Sequence, residues 1–172
     1  MPDLAALPLG SRVFVDTNIF HYCYAGRSAT CFAFVRRIAR GEITAYVNTL
    51  VLSDLMHKLM LSEAKDKGFI NGLSARQLKT WLAANRQSAG LLVDYQQQFN
   101  DTLTIGLKTL NVTQAMMRRT QTERCDHGLM TTDSLHLGCM IRSHVQLTDI
   151  ATKDGDFGHI TGVTLWEPQD VI

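Results

Sequence analysis

Apolar runs of two kinds alternate along this chain of 172 residues. Short continuous runs, which are typical of buried strands, occupy residues 13–15, 43–47, 149–152 and 163–166. A weaker alternating run at 105–112 predicts a further strand. Between these runs, apolar residues recur three or four positions apart, which predicts amphipathic helices. The alternation predicts an α/β fold in which a mostly parallel sheet is covered by helices on both faces.

Capping residues help to place the predicted helices. Asn48 or Thr49, Ser74, Thr113, and Thr131 or Thr132 stand where N-caps are expected. The predicted helical segments are 17–24 (a short helix or a loop), 29–40, 50–67, a stretch that begins at Ser74, 85–104, 113–124 and 131–144. No linker, repeat or low-complexity segment interrupts the pattern, so residues 1–172 are predicted to form a single domain.

Short acidic motifs stand where predicted strands end or predicted helices begin. Asp16 follows the first strand, Asp54 and Asp133 lie near helix starts, and Asp154 and Asp156 follow the fourth strand. In parallel sheets, ligands bind beyond the carboxyl ends of the strands, where Asp16 and Asp154 are expected. Carboxylates that converge there repel one another and need a counterion. A hard divalent cation such as Mg²⁺ or Mn²⁺ meets that need.

Each of these acids also has a purely structural explanation. Asp16 could cap a turn, and Asp54 could be an acid that the helix dipole favours. Asp133 could cap its helix, although neighbouring threonines could serve instead. Asp154 and Asp156 flank Gly155, as in a tight surface turn. The local sequence alone leaves both explanations open.

Composition and charge limit the classes of function. The chain carries 17 basic and 16 acidic residues, so no strong overall field draws it to nucleic acid or to a membrane. No apolar run approaches the roughly 20 residues of a membrane span, and no signal peptide is evident. The four cysteines show no metal-binding spacing and are expected to be buried and reduced. We therefore expect a cytoplasmic protein without membrane contacts.

The ordered set of motifs resembles the PIN domain family, and most closely its bacterial branch of VapC-like toxins. The resemblance covers nearly the whole chain, and only the ordered set is specific. Its motifs are Val13-Phe14-Val15-Asp16-Thr17-Asn18, Asn48 to Leu55 around Asp54, Gly128 to His136 around Asp133, and Ala151-Thr152-Lys153-Asp154-Gly155-Asp156-Phe157.

The resemblance implies a three-layer α/β/α fold with a central parallel sheet of about five strands. It implies a metal-dependent endoribonuclease that uses Mg²⁺ or Mn²⁺, with a small antitoxin as partner and a homodimer as the expected assembly. It places Asp16, Asp54, Asp133 and Asp154 at the catalytic positions, with Asp16, Asp133, Asp154 and Asp156 as metal ligands. Thr17, Asn18 and Thr152 take accessory positions.

The chain departs from the family pattern in two places. The family usually has Glu where this chain has Asp54, whose shorter side chain must approach a metal from a closer backbone or through water. The segment from about 66 to 104 is also longer than in the compact toxins. It could carry extra helices for an RNA path or for a partner.

The leading hypothesis is hydrolysis of RNA phosphodiester bonds by a metal-activated water, which leaves 5′-phosphate and 3′-hydroxyl ends. Basic side chains are expected to hold the RNA backbone, with Lys153 first and Arg36 and Arg37 next. The other candidates are Arg40, Lys58, Arg118 and Arg119. Two alternatives remain: a PIN-like module that binds RNA or protein with little or no cleavage, and a phosphatase in which Asp16 is the nucleophile.

Overall fold

A computed structural model describes residues 1–172 and has a five-stranded parallel sheet at its centre. The strands lie in the order β3-β2-β1-β4-β5, and every neighbouring pair is parallel. The strands are β1 Arg12–Val15, β2 Thr44–Asn48, β3 Lys108–Leu110, β4 Asp149–Ala151 and β5 Thr164–Trp166. The α/β prediction and the number of strands are thereby confirmed.

Eight α-helices accompany the sheet, in the α/β/α arrangement that the family resemblance implied. Helix α1 contacts both α2 and α3, and α3 contacts α5. Helices α6, α7 and α8 contact one another and form a second group. The helices are α1 Thr17–Tyr24, α2 Ala29–Ala39, α3 Thr49–Asp66, α4 Ala75–Ala84, α5 Asp94–Thr104, α6 Gln114–Arg119, α7 Gln121–His127 and α8 Thr131–Arg142. Three short 3₁₀ helices occupy Leu4–Ala6, Arg86–Leu91 and Gly155–Phe157.

β1 is the central strand because its side chains are suited to burial on both faces. Val13, Phe14 and Val15 are fully buried in a core of 31 residues. Phe14 is in register with Tyr46 of β2 and with Ile150 of β4. The positions that follow β1 and β4 are therefore brought side by side at one edge of the sheet.

Several predicted boundaries are corrected. The strand predicted at 105–112 is only three residues long, and the helix predicted at 113–124 is interrupted at Thr120. Neither Thr131 nor Thr132 caps α8, because both are already helical and the N-cap is Met130, which has no side-chain acceptor. Cys125 is exposed rather than buried.

Three of the predicted caps are confirmed. The side chains of Asn48, Ser74 and Thr113 each accept a hydrogen bond from a backbone N–H in the first turn of the following helix. The long segment between α3 and β3 contains α4, a 3₁₀ turn and α5. It packs a small apolar cluster of its own around Leu61, Ile70 and Leu78.

No helix is both long enough and apolar enough to cross a bilayer.

Candidate functional site

The carboxyl ends of β1 and β4 bring two of the predicted site segments together. The backbone N–H of Asp16 donates to the carbonyl of Ala151 at 3.0 Å, which extends the pairing of the two strands by one residue. Thr152 follows Ala151 directly, and Asp154 stands two residues farther on. We call Asp16, Asp133, Asp154 and Asp156 the acidic edge of the sheet.

The Asp16 carboxylate is held in place by hydrogen bonds to both of its oxygens. Oδ1 accepts from the backbone N–H of Thr17 at 2.6 Å. Oδ2 accepts from Asn18 Nδ2 and from Thr152 Oγ1, each at 2.7 Å. Asp16 is thus also the N-cap of α1. The capping explanation and the clustering explanation are therefore both met by the same side chain.

Thr152 links the two strand ends through its hydroxyl group. While Oγ1 donates to Asp16, it accepts from Asn18 Nδ2 at 2.9 Å and from the backbone N–H of Asp154 at 3.0 Å. Thr152 is fully buried, so these bonds replace those that water would make. In turn, Asp154 Oδ1 accepts from the backbone N–H of Asp156 at 3.0 Å. The accessory residues thus orient the acids of the edge.

Asp133 reaches the same region from the first turn of α8. Burial raises the pKa of its carboxyl group, and the negative charges of Asp154, Asp16 and Asp156 raise it further. The four acids therefore share one electrostatic environment. None of them forms an ion pair, since the Lys153 ammonium group lies 2.6 Å from Glu167 instead.

Asp54 stands apart from Asp133 and points toward solvent. Its side chain is 48% exposed on α3 and pairs with Lys58 at 3.0 Å, one helical turn away. The charge of Asp54 raises the pKa of His21 and of His136, but it does not contribute to the pKa shift of Asp133. The structure therefore brings together four of the five predicted acids, while Asp54 pairs with Lys58 and shares with Asp16 only an influence on His136.

A buried pair behind the acidic edge has only partial signals in the sequence. Asn48 caps α3 with Oδ1, and its Nδ2 lies 2.9 Å from Nδ1 of His136. The His136 ring is 4% exposed and lies 5.4 Å from the Phe14 ring. Burial lowers the pKa of His136, while the charges of Asp16 and Asp54 oppose that shift. The cap at Asn48 is readable from the sequence, but the contact across 88 residues is not.

The basic residues that were expected to hold RNA are mostly engaged elsewhere. Arg37 donates to the Leu7 carbonyl at 2.6 Å, and the Arg36 guanidinium lies over the Phe32 ring. Lys153 uses its backbone N–H to donate to Asn18 Oδ1 at 3.2 Å. Its backbone is therefore part of the acidic edge, whereas its ammonium group is directed to Glu167.

The acidic edge suits a hydrated cation better than a bare one. No three Asp, Glu, His or Cys side chains are close enough to form a complete set of direct ligands. Mg²⁺ commonly keeps several waters and binds through one or two carboxylates. Four carboxyl groups without a cationic partner, one of them with a raised pKa, fit an ion that is held partly through water.

Comparison with known proteins agrees with this geometry. The family described as "PIN domain" matches residues 13–163. A chain of the VapBC2 complex of Rickettsia felis, which was solved bound to a promoter DNA fragment, is 16% identical with a TM-score of 0.55, and the match covers 91% of this chain and 98% of that one. A chain of a toxin-antitoxin complex from Klebsiella pneumoniae is 18% identical with a TM-score of 0.53, with 88% and 95% covered. No curated protein matches the chain.

Proposed function

Because the chain belongs to the PIN domain family, we propose that it is a metal-dependent endoribonuclease and the toxin of a toxin-antitoxin pair. The observation that carries the proposal is the acidic edge, where four carboxyl groups meet and none of them pairs with a basic side chain. Stability alone gives no reason to gather unpaired acids at one end of a sheet, because partly buried like charges repel one another. A site for a divalent cation gives such a reason.

We propose that Asp16, Asp133 and Asp154 share the ion, two of them in direct contact and the third through a bound water, and we place Asp156 at its periphery. Thr17, Asn18 and Thr152 hold Asp16 in one orientation, so that its carboxylate need not reorganise when the ion arrives. We keep Asp54 as a fourth catalytic acid that acts only through water, because its carboxylate is exposed and paired with Lys58.

When bound, Mg²⁺ or Mn²⁺ would supply an activated water and neutralise the charge that develops on the phosphate. The residues of the chain bind and orient the participants. Burial and the charges of the neighbouring acids raise the pKa of Asp133, so a bound cation would stabilise its ionised form. The expected products carry 5′-phosphate and 3′-hydroxyl ends.

The partner, the assembly and the location extend the same proposal. Two similar structures are toxin-antitoxin complexes, which supports a small antitoxin as the partner of this chain. We propose a homodimer, a single domain over residues 1–172 and a cytoplasmic site of action. Co-expression with the product of a small neighbouring reading frame, followed by size-exclusion chromatography, tests the partner.

The activity is tested by incubating the chain with single-stranded RNA and Mn²⁺. We expect cleavage that Asp16→Asn abolishes, because the amide loses the charge that attracts the ion. Asp66→Asn is the matched control, since Asp66 is an exposed acid at the end of α3 that has no side-chain hydrogen bond or ion pair. Equal cleavage by all three proteins would point to a contaminating nuclease and would contradict the proposal.

A second candidate is a module that binds RNA or a protein without cutting it. The pairing of Asp54 with Lys58 favours it, because the acid that completes the family pattern is turned outward. This function predicts RNA binding that is unchanged in Asp16→Asn, with no cleavage in Mg²⁺ or Mn²⁺. The two functions therefore separate in the same experiment.

A further inference from the structure

Two arginines stand out among the basic residues that could hold an RNA backbone. Arg118 and Arg119, at the end of α6, form no ion pair, no side-chain hydrogen bond and no contact with an aromatic ring. The other candidates are occupied by partners within the chain: Arg36 by Phe32, Arg37 by Leu7 and Glu42, Arg40 by Glu42, Lys58 by Asp54 and Lys153 by Glu167.

The two free arginines line a cleft together with a third, Arg142, at the end of α8. We call Arg118, Arg119 and Arg142 the arginine cleft. Its volume is about 450 Å³, and its remaining lining residues are Gln121, Thr122, Cys125 and Asp126. Three guanidinium groups around one open space form a favourable site for phosphate oxygens, which they can bind in pairs.

Arg142 is oriented by a buried acid. Its Nε donates to Oε1 of Glu123 at 2.6 Å, and Glu123 is only 2% exposed. The other carboxylate oxygen of Glu123 is buried and has no partner in the chain. Because the bond uses Nε alone, the two Nη groups of Arg142 remain available to a ligand. A buried carboxylate with a single bond is unfavourable for stability, but it holds the guanidinium group in place.

Helix α8 connects this cleft with the acidic edge. Asp133 lies in its first turn and Arg142 in its last, nine residues apart, which corresponds to about 14 Å along the axis. At roughly 3.4 Å of rise per nucleotide in a stacked strand, this separation corresponds to about four nucleotides. Nine residues at 3.6 per turn place the two side chains on opposite faces of α8, and residues 134–140 between them are buried. A single strand that joins the two places therefore passes over the exposed surface of α7 and spans at least about four nucleotides.

We propose that the arginine cleft binds backbone phosphates of single-stranded RNA at least about four nucleotides from the bond at the acidic edge. This inference rests on the proposed function and deepens it, because it requires a substrate long enough to span both places. The lining favours RNA over an acidic protein segment, since Cys125 is its one apolar residue. A protein interface needs an apolar centre that this cleft lacks.

The test measures binding of RNA to Asp16→Asn, so that the strand is not cut during the titration. Arg118→Ala and Arg119→Ala are introduced together. Arg76→Ala with Arg86→Ala is the matched control, because both residues are exposed, have no side-chain partner and remove the same charge from the α4 segment. Probes of about four and about twelve nucleotides are compared.

We expect the cleft variant to bind the longer RNA about tenfold more weakly, with a smaller loss for the shorter probe, which cannot occupy the cleft and the acidic edge together. The slope of log affinity against log salt should fall by about 1.4, the value for two lost phosphate contacts on a single strand. The control variant should change neither quantity. Equal losses in the two variants, or a cleft variant that binds both probes like the parent, would overturn the inference. The inference would also be overturned if the cleft variant lost more affinity for an acidic peptide than for RNA.

Failure of this inference and failure of the proposed function give different results. With Asp16 restored, the control variant Arg76→Ala with Arg86→Ala should cut RNA at the parental rate, because it changes neither the acidic edge nor the arginine cleft. Cleavage of the short probe with unchanged binding of the long one overturns the cleft alone. Absence of cleavage in every protein that contains Asp16 overturns the nuclease and removes the basis of the cleft proposal with it.

Discussion

Glu63 and the acidic edge differ in how the charge of their carboxylates is balanced. Glu63, near the end of α3, is 6% exposed and accepts hydrogen bonds from Lys67 and from the backbone N–H groups of Val93, Asp94 and Tyr95. We call this the Glu63 anchor. At the acidic edge, Asp16 and Asp154 accept hydrogen bonds, and none of the four carboxyl groups forms an ion pair. The charge of Glu63 is balanced within the chain, whereas the charges at the acidic edge have no basic side chain beside them.

The comparison separates a structural acid from a candidate functional one. Burial raises the pKa of Glu63, but the bonds from Lys67 and the three N–H groups outweigh burial and lower it. For Asp133, burial and neighbouring acids act in the same direction and raise the pKa. The direction of the pKa shift therefore differs between Glu63, which has a cationic partner, and Asp133, which has none.

The largest expected effect is on the Glu63 anchor. Glu63→Gln should lower the free energy of unfolding by about 3 kcal/mol, because it removes the charge on which Lys67 and three N–H groups depend. Urea denaturation measures this loss. Glu42→Gln is the matched control, since Glu42 makes only surface ion pairs and should change stability by less than about 1 kcal/mol. Equal losses would refute the role of the anchor.

The same anchor predicts how stability depends on pH. Because the pKa of Glu63 is lowered by folding, its contribution is present above the pKa of the unfolded glutamate and is lost as pH falls through the folded value. The stability difference between the parent and Glu63→Gln should therefore shrink as pH falls below about 4.5. A difference that is constant from neutral to acidic pH would contradict this account.

Asp133→Asn should change the free energy of unfolding in the opposite direction from Glu63→Gln. In metal-free buffer we expect a gain below about 1 kcal/mol, because the substitution removes repulsion that partial exposure to solvent already weakens. The folded pKa of this acid is raised, so the gain should appear as pH rises through that value and vanish at lower pH. Asp66→Asn is the control. A loss of stability at neutral pH would indicate that Asp133 is a structural cap.

The smallest expected effect concerns Asp54. Asp54→Ala should change stability by less than about 0.5 kcal/mol, since it removes one exposed ion pair on a helix. It should lower cleavage less than Asp16→Asn does, because Asp54 is assigned contact through water alone. Parallel measurements of unfolding and of RNA cleavage check both statements. Cleavage lost as fully as in Asp16→Asn would place Asp54 among the direct ligands.

The sequence predicted the elements that depend on local signals. The continuous apolar runs around Val13–Val15 and Ile150 identified the buried strands, and their parallel pairing placed Asp16 and Asp154 at one edge. The caps at Asn48 and Thr113 were readable because the capping hydrogen bond is made to the first turn of the helix that follows. The family motifs supplied Asp133, which periodicity alone would have left as a capping acid.

Contacts across long stretches of chain were not readable. Glu63 looks like an ordinary helix acid until α5 begins against it, 30 residues later. The ion pair between Asp54 and Lys58 was visible as i and i+4 spacing, yet the family position of Asp54 suggested an inward side chain. Helix α6 ends and helix α7 begins at Thr120, and the helix propensities of the surrounding residues do not predict this interruption.

The most direct measurement of the central claim is anomalous diffraction from crystals of the chain soaked in Mn²⁺. We predict a manganese peak at the acidic edge, coordinated by at least two of Asp16, Asp133 and Asp154 and completed by water. Asp16→Asn crystals soaked in the same way should show a weaker peak or none. The account would be contradicted by crystals soaked at saturating Mn²⁺ that show no peak at the acidic edge. It would also be contradicted by manganese bound only beside Asp54.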